Sequence, residues 1–130
     1  MPLKDHHIAI MEILLPLTKS KERPYITYGE MSRQLEQQGI IIEAISLRIP
    51  LYDISTFCMD NGAPALSVFV VSTDTLMPGD GFYIFFTAKA TLTFDEKFEL
   101  FMNEQKRALE YREWPRIAKM VGINFPTENQ

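Results

Sequence analysis

Seven consecutive residues with apolar or small side chains, Ala65 to Val71 (ALSVFVV), constrain the fold more than any other stretch of the chain. A run of that length, rich in Val and Phe, suits a buried strand and is short for a helix. Ser72, Thr73 and Asp74 close it, Pro78-Gly79-Asp80-Gly81 follows, and apolar residues return at 82–86. Pro78 presets its φ, and Gly79 and Gly81 take positive φ at little cost. The pattern predicts two antiparallel strands, 65–72 and 82–86, joined by a loop of about nine residues, which is long for a hairpin. Such a loop is a binding element, with Thr73, Asp74, Pro78, Gly79, Asp80 and Gly81 as candidate contacts, or a loose tip. Pro-Gly-Asp-Gly reads first as a plain turn. Two glycines around one aspartate are too few to cradle a phosphate, and no Gly-Lys-Ser/Thr follows.

The rest of the chain reads as helices around this ribbon. Ile8, Met11, Leu14 and Leu15 recur at helical spacing over 5–18, with Ile10 and Ile13 widening the stripe. His6 and His7 point about 100° apart on such a helix and cannot readily share a metal, so they are expected at the surface. Pro24 breaks the chain before a short strand at Tyr25-Ile26-Thr27. Thr27-Tyr28-Gly29-Glu30 is a capping box, opening a helix that Gly39 closes. Residues 39–46 read either as strand or as an apolar connection packing into the core. Pro50 suits the first turn of a third helix, with Leu51, Ile54, Phe57 and Cys58 on its apolar stripe and Asn61-Gly62 as its stop. Thr93-Phe94-Asp95-Glu96 is a second capping box. It opens a long helix, 94–111, with Phe94, Phe98, Phe101, Ala108 and Leu109 on its buried face and Glu99, Glu104, Lys106, Arg107, Glu110 and Arg112 on its solvated one. Trp114-Pro115 ends it, Arg116–Val121 makes one more turn before Gly122, and 126–130 form a frayed tail. The expected architecture is α+β and winged-helix-like: one domain over 1–125, with three N-terminal helices, the hairpin and the long C-terminal helix.

Composition narrows the chemistry. The 130 residues suffice for a real core, and 46% hydrophobic with 23% charged residues is ordinary for a soluble domain. No apolar stretch approaches the ~20 residues of a membrane span, so no membrane partner is expected. Asp5 and Glu12 interrupt the N-terminal apolar segment, which therefore reads as a helix of the fold and not as a leader. The single cysteine, Cys58, excludes an internal disulfide and a cysteine-based zinc site. It reads as an inert core thiol in a cytoplasmic protein. No motif of a metal or cofactor site is present, so neither is expected, and catalysis has no motif to support it. The net charge of −4 argues against a surface that grips nucleic acid everywhere.

Thr27-Tyr28-Gly29 opening a helix, Arg48 ahead of the next one, and Asn61-x-x-Pro64 leading into Val70-Val71 resemble the DNA-binding domain of alkylguanine alkyltransferases and alkyltransferase-like proteins, over roughly residues 25–72. The resemblance implies that Tyr28 and Arg48 help to rotate a damaged base out of a duplex. The family's Pro-Cys-His-Arg is missing: Ser67, Val68 and Phe69 stand there, which removes the thiolate and its histidine partner and so excludes alkyl transfer. Val-Val-Ser and Pro-Gly-x-Gly-Phe are also similar to small bacterial and mobile-element proteins, to which no activity is attached.

Three functions follow, the third being an enzyme with an unfamiliar site near the 73–81 loop. The first is a non-catalytic binding module for a protein partner or a second copy of itself, with Tyr25, Tyr28, Tyr52 and Tyr83 as contact area outside the core. The alternative is a DNA-associated module in which Tyr28, Arg33 and Arg48 join Lys19, Lys21 and Arg23 in one basic face. Against the second stand Asp53 and Asp60 on the third helix and Asp74 and Asp80 in the loop, with no cation among them.

Overall fold

Every residue from Ala63 to Val71 is buried in the computed structural model, which describes residues 3–125. The run does not extend as one strand. Leu66–Phe69 coils into a 3-10 turn, and only Val70–Val71 is extended, as strand β2. The reason lies in where its polar groups are satisfied. The Ala65 N–H donates to the Glu104 carboxylate (2.7 Å), and the Ser67 N–H donates to the Ser55 hydroxyl (3.0 Å), which in turn donates to Ser67 Oγ (2.6 Å). Side chains thus take the backbone partners that a ladder would have supplied.

The strand pairing departs from expectation too. β2 pairs in parallel with β1, Ile26–Thr27, placing Ile26 opposite Val70 and Thr27 opposite Val71. The antiparallel hairpin of 65–72 with 82–86 is not formed, because 72–77 closes on itself: the Ser72 N–H donates to Met77 O (2.9 Å) and the Leu76 N–H to Ser72 O (2.8 Å). Asp80–Phe85 is then a second 3-10 helix whose Phe82 and Phe86 amides bond back to Gly79 and Tyr83. A run of aromatics fits a strand or a turn of helix equally well, and local bonding decided between them.

Five α-helices are formed among the described residues: α1 (Asp5–Leu14, continuing as a 3-10 turn to Lys19), α2 (Tyr28–Gln37), α3 (Arg48–Asp60), α4 (Phe94–Glu110) and α5 (Trp114–Met120). The fold is α+β, mostly helical with one small parallel sheet. Thr27 caps α2 as its sequence predicts: its hydroxyl accepts the Glu30 N–H (3.1 Å) and the Glu30 carboxylate accepts the Thr27 N–H (3.0 Å). Hydrogen bonds from Arg23 and then from the Thr27 backbone draw the Glu30 carboxyl down to about 2. Thr93 and Glu96 cap α4 by the same reciprocal bonds. Gly62, at φ 81, ends α3 in the left-handed region that favours glycine.

Three expectations about burial are corrected. On α4, Phe101 and Ala108 face the core, but Phe94, Phe98 and Leu109 are exposed, because Glu104, expected in solvent, turns inward to hold Ala65 and the buried face turns with it. His7 is buried and not at the surface: its Nδ1 accepts the Lys4 N–H (2.9 Å), so its Nε2 carries the proton donated to Asp53 (3.0 Å) on α3. Tyr83 is buried as well, with its hydroxyl donating to Pro78 O (3.0 Å). Cys58 lies in the core on the α3 stripe, where burial pushes its thiol up to about 12. No helix among the described residues is long and apolar enough to cross a membrane. The tail expected at 126–130 lies outside the described residues.

Candidate functional site

The first residue of α2, the first turn of α3 and the 79–81 turn meet in an open cleft of about 280 Å³. Tyr28, Ala44, Ile45, Arg48, Gly79, Asp80 and Gly81 line it. A narrow recess shares Tyr28, Arg48 and Gly81 with it and reaches inward to Leu51, Ser67 and Phe82, with Tyr52 and Phe85 at its lip.

Capping fixes Tyr28: with Thr27 locked as the N-cap, Tyr28 is the first helical residue and leans over the turn that follows the ribbon. Its phenol oxygen accepts the Gly79 N–H (2.9 Å), and burial pushes its hydroxyl pKa up. The phenol therefore stays protonated, and its own proton remains free to donate. Gly79 is extended at φ −70 and needs no positive φ, which corrects the reason first given for a glycine there. Its role is close approach: a Cβ on Gly79 would stand 3.3 Å from the Tyr28 oxygen. The positive φ of this loop falls on Leu76 (φ 55) instead.

The proposed loop contacts divide in two. Gly79, Asp80 and Gly81 enter the cleft, and Pro78 supports it through the Tyr83 hydroxyl. Thr73 and Asp74 sit in the self-closed 72–77 turn, exposed and absent from the cleft lining. Asp80 pairs with Lys97 of α4 (2.9 Å).

The six candidates for one basic face are likewise scattered. Arg48 lines the cleft beside Tyr28 and has no ion-pair or hydrogen-bond partner among the described residues. Arg23 is engaged with Glu30 (2.9 Å) and lies over the Tyr25 ring (4.6 Å). Lys19 stands over the Phe125 ring (4.9 Å), at the far end of the chain, and Lys21 and Arg33 are exposed without lining the cleft. The cleft holds one guanidinium and one carboxylate, not a basic field.

Apolar side chains that the sequence reading did not assign to any site complete this one. Ile45, 78% exposed, lines the cleft, and Ile41 and Ile49, 74% and 61% exposed, stand four residues to either side of it in sequence. Tyr52 is also exposed and stacks on Phe85 (5.0 Å between centroids, 22° between planes). The signal was in the spacing: Ile41, Ile45 and Ile49 recur every four residues, out of phase with Leu47, Leu51, Ile54 and Cys58, which are buried.

Both ring nitrogens of His7 are engaged inside the protein, and no group of three His, Cys, Asp or Glu among the described residues is placed to hold a metal. Comparison with family models, with curated proteins and with solved structures gives no match to this chain.

Proposed function

We propose that the chain is a non-catalytic binding module that docks a protein partner on a winged-helix-like face made by α2, the start of α3 and the 78–86 segment. The observation that carries this reading is Ile45, standing in solvent in the wall of an apolar cleft with a tyrosine and an unpaired arginine, while Ile41 and Ile49 are exposed to either side of it in sequence. Fully burying each isoleucine is worth about 1.5–3 kcal/mol, enough for three to drive association. Tyrosine and arginine are the side chains that anchor protein interfaces most often.

A DNA-associated role is the second reading. What favours it is that Tyr28 and Arg48, the two residues that the alkyltransferase resemblance singles out, line the same cleft. The electrostatics favour the first. Asp80 shares the lining with Arg48 and no second cation does, whereas phosphate contacts demand several.

Affinity capture with the wild-type chain and with an Ile45→Asp/Ile49→Asp variant, followed by reconstitution from purified components, tests the reading. A protein that binds wild type directly and loses at least about tenfold in affinity to the variant supports it. A gel shift at low salt that disappears with Arg48→Ala, and weakens steeply as salt is raised, overturns it in favour of DNA.

A further inference from the structure

A different face, the outer side of α4, carries its own signature. Phe94, Phe98, Met102 and Leu109 are all exposed, and their spacing of four, four and seven puts them on one stripe. Phe94 is 61% and Phe98 46% exposed, with their rings stacked 6.2 Å apart. The core-facing side of the same helix is already supplied by Phe101, Glu104 and Ala108. A helix of this kind that needed only to be wetted would carry polar residues along the outer stripe.

The charges beside the stripe say what covers it. Glu96 is paired with Lys89, Lys97 with Asp80, and Arg107 with Glu104. Asp95 and Glu99 in the first half of α4, and Lys106 and Glu110 in the second, have no ion-pair partner among the described residues. The unpaired charge is thus acidic in the first half and balanced in the second, with Glu99 and Lys106 the two nearest the middle of the stripe. We propose that a second copy of this chain packs on α4, the two helices running antiparallel about a two-fold axis near Met102. That arrangement sets Glu99 of each copy against Lys106 of the other, twice by symmetry, while Phe98, Met102 and Leu109 interdigitate. It also opposes the two helix dipoles. Asp95 and Glu110 approach only at the ends of the pair, where solvent screens them. A parallel pairing would align acidic half with acidic half.

A helix of 17 residues is about 25 Å long, so one helix pair makes an interface at the small, reversible end of the protein–protein range. The dimer is accordingly weak, with a Kd on the order of 10–200 µM.

Sedimentation equilibrium from roughly 5 to 500 µM protein tests the inference. Wild type is expected to dimerise reversibly, and Phe98→Asp to weaken it at least about tenfold with an unchanged circular dichroism spectrum. Glu99→Lys and Lys106→Glu, exposed changes that leave folding alone, each weaken the dimer about threefold or more, and the double reversal restores it to within about twofold. Ile49→Asp, on the face assigned to the protein partner, leaves it unchanged. A monomer at every concentration, or a dimer indifferent to Phe98→Asp and to both charge reversals, overturns the proposal. A dimer broken by Ile49→Asp overturns it as well and moves self-association to the α3 ridge.

Discussion

Two apolar stretches, the largely aliphatic 65–71 and the largely aromatic 82–86, have opposite fates. The first is buried without a gap, whereas in the second Phe82 and Tyr83 are buried, Ile84 is exposed, and Phe85 and Phe86 are half-covered. The difference lies in who satisfies the backbone. Residues 65–71 receive a carboxylate from α4, a hydroxyl from α3 and one parallel strand, so three separate elements converge on them. Residues 82–86 bond mainly to themselves and to the turn before them. Hydrophobicity brought both stretches to the protein; only long-range hydrogen bonding made one of them a core. The other became a wall of the cleft.

The largest expected effect tests the first half of that contrast. Phe69 is fully buried, and Phe69→Ala should cost about 3–5 kcal/mol in urea unfolding, enough to unfold a marginal domain. A loss below about 1 kcal/mol would mean that the run is less tightly packed than the structure has it. Next comes Glu104→Ala, which strands the buried Ala65 N–H and should cost about 1–3 kcal/mol. Glu104→Gln keeps an acceptor oxygen in place and should cost less; if the two variants match, the hydrogen bond is not what holds 65–71 against α4.

Smaller effects follow. Thr27→Ala removes the α2 cap and should cost about 1 kcal/mol, with loosening of the Tyr28 side of the cleft. The same box responds to acid. Glu30 is held near 2 against an ordinary 4.5, so its contribution is fully present above about pH 4.5 and is lost as the pH falls through 2. Glu30→Gln should flatten the stability profile across that window. Last, Ile84→Ala should change stability by no more than about 0.5 kcal/mol, because the side chain is exposed. A larger loss would erase the distinction between the two stretches.

The helices were legible in the sequence because their signals are local. Thr27 and Glu30, Thr93 and Glu96, and the Gly62 stop act within one turn, and the structure puts each where its spacing predicted. Ile26–Thr27 also emerged as strand after Pro24. What misled was everything settled at a distance. The partner of β2 sits 44 residues upstream in register, and no periodicity within 65–86 reports it. Glu104 and His7 were assigned to solvent by residue type, yet each is fixed by a group on another element. The cleft was half visible: Tyr28, Arg48 and the glycine loop were singled out separately, but the exposed isoleucines were not, since only their phase against the buried stripe of α3 marks them and residue type does not.

Cys58 has one practical consequence. The chain's only thiol is enclosed on all sides and held protonated, so an alkylating reagent finds no thiolate to attack while the native structure persists. Labelling must wait for α3 to part from the 66–69 turn, and the modification rate under native conditions becomes a clock for how often that happens. The chain thus carries an intrinsic reporter of its own breathing, readable by mass spectrometry without any engineered probe.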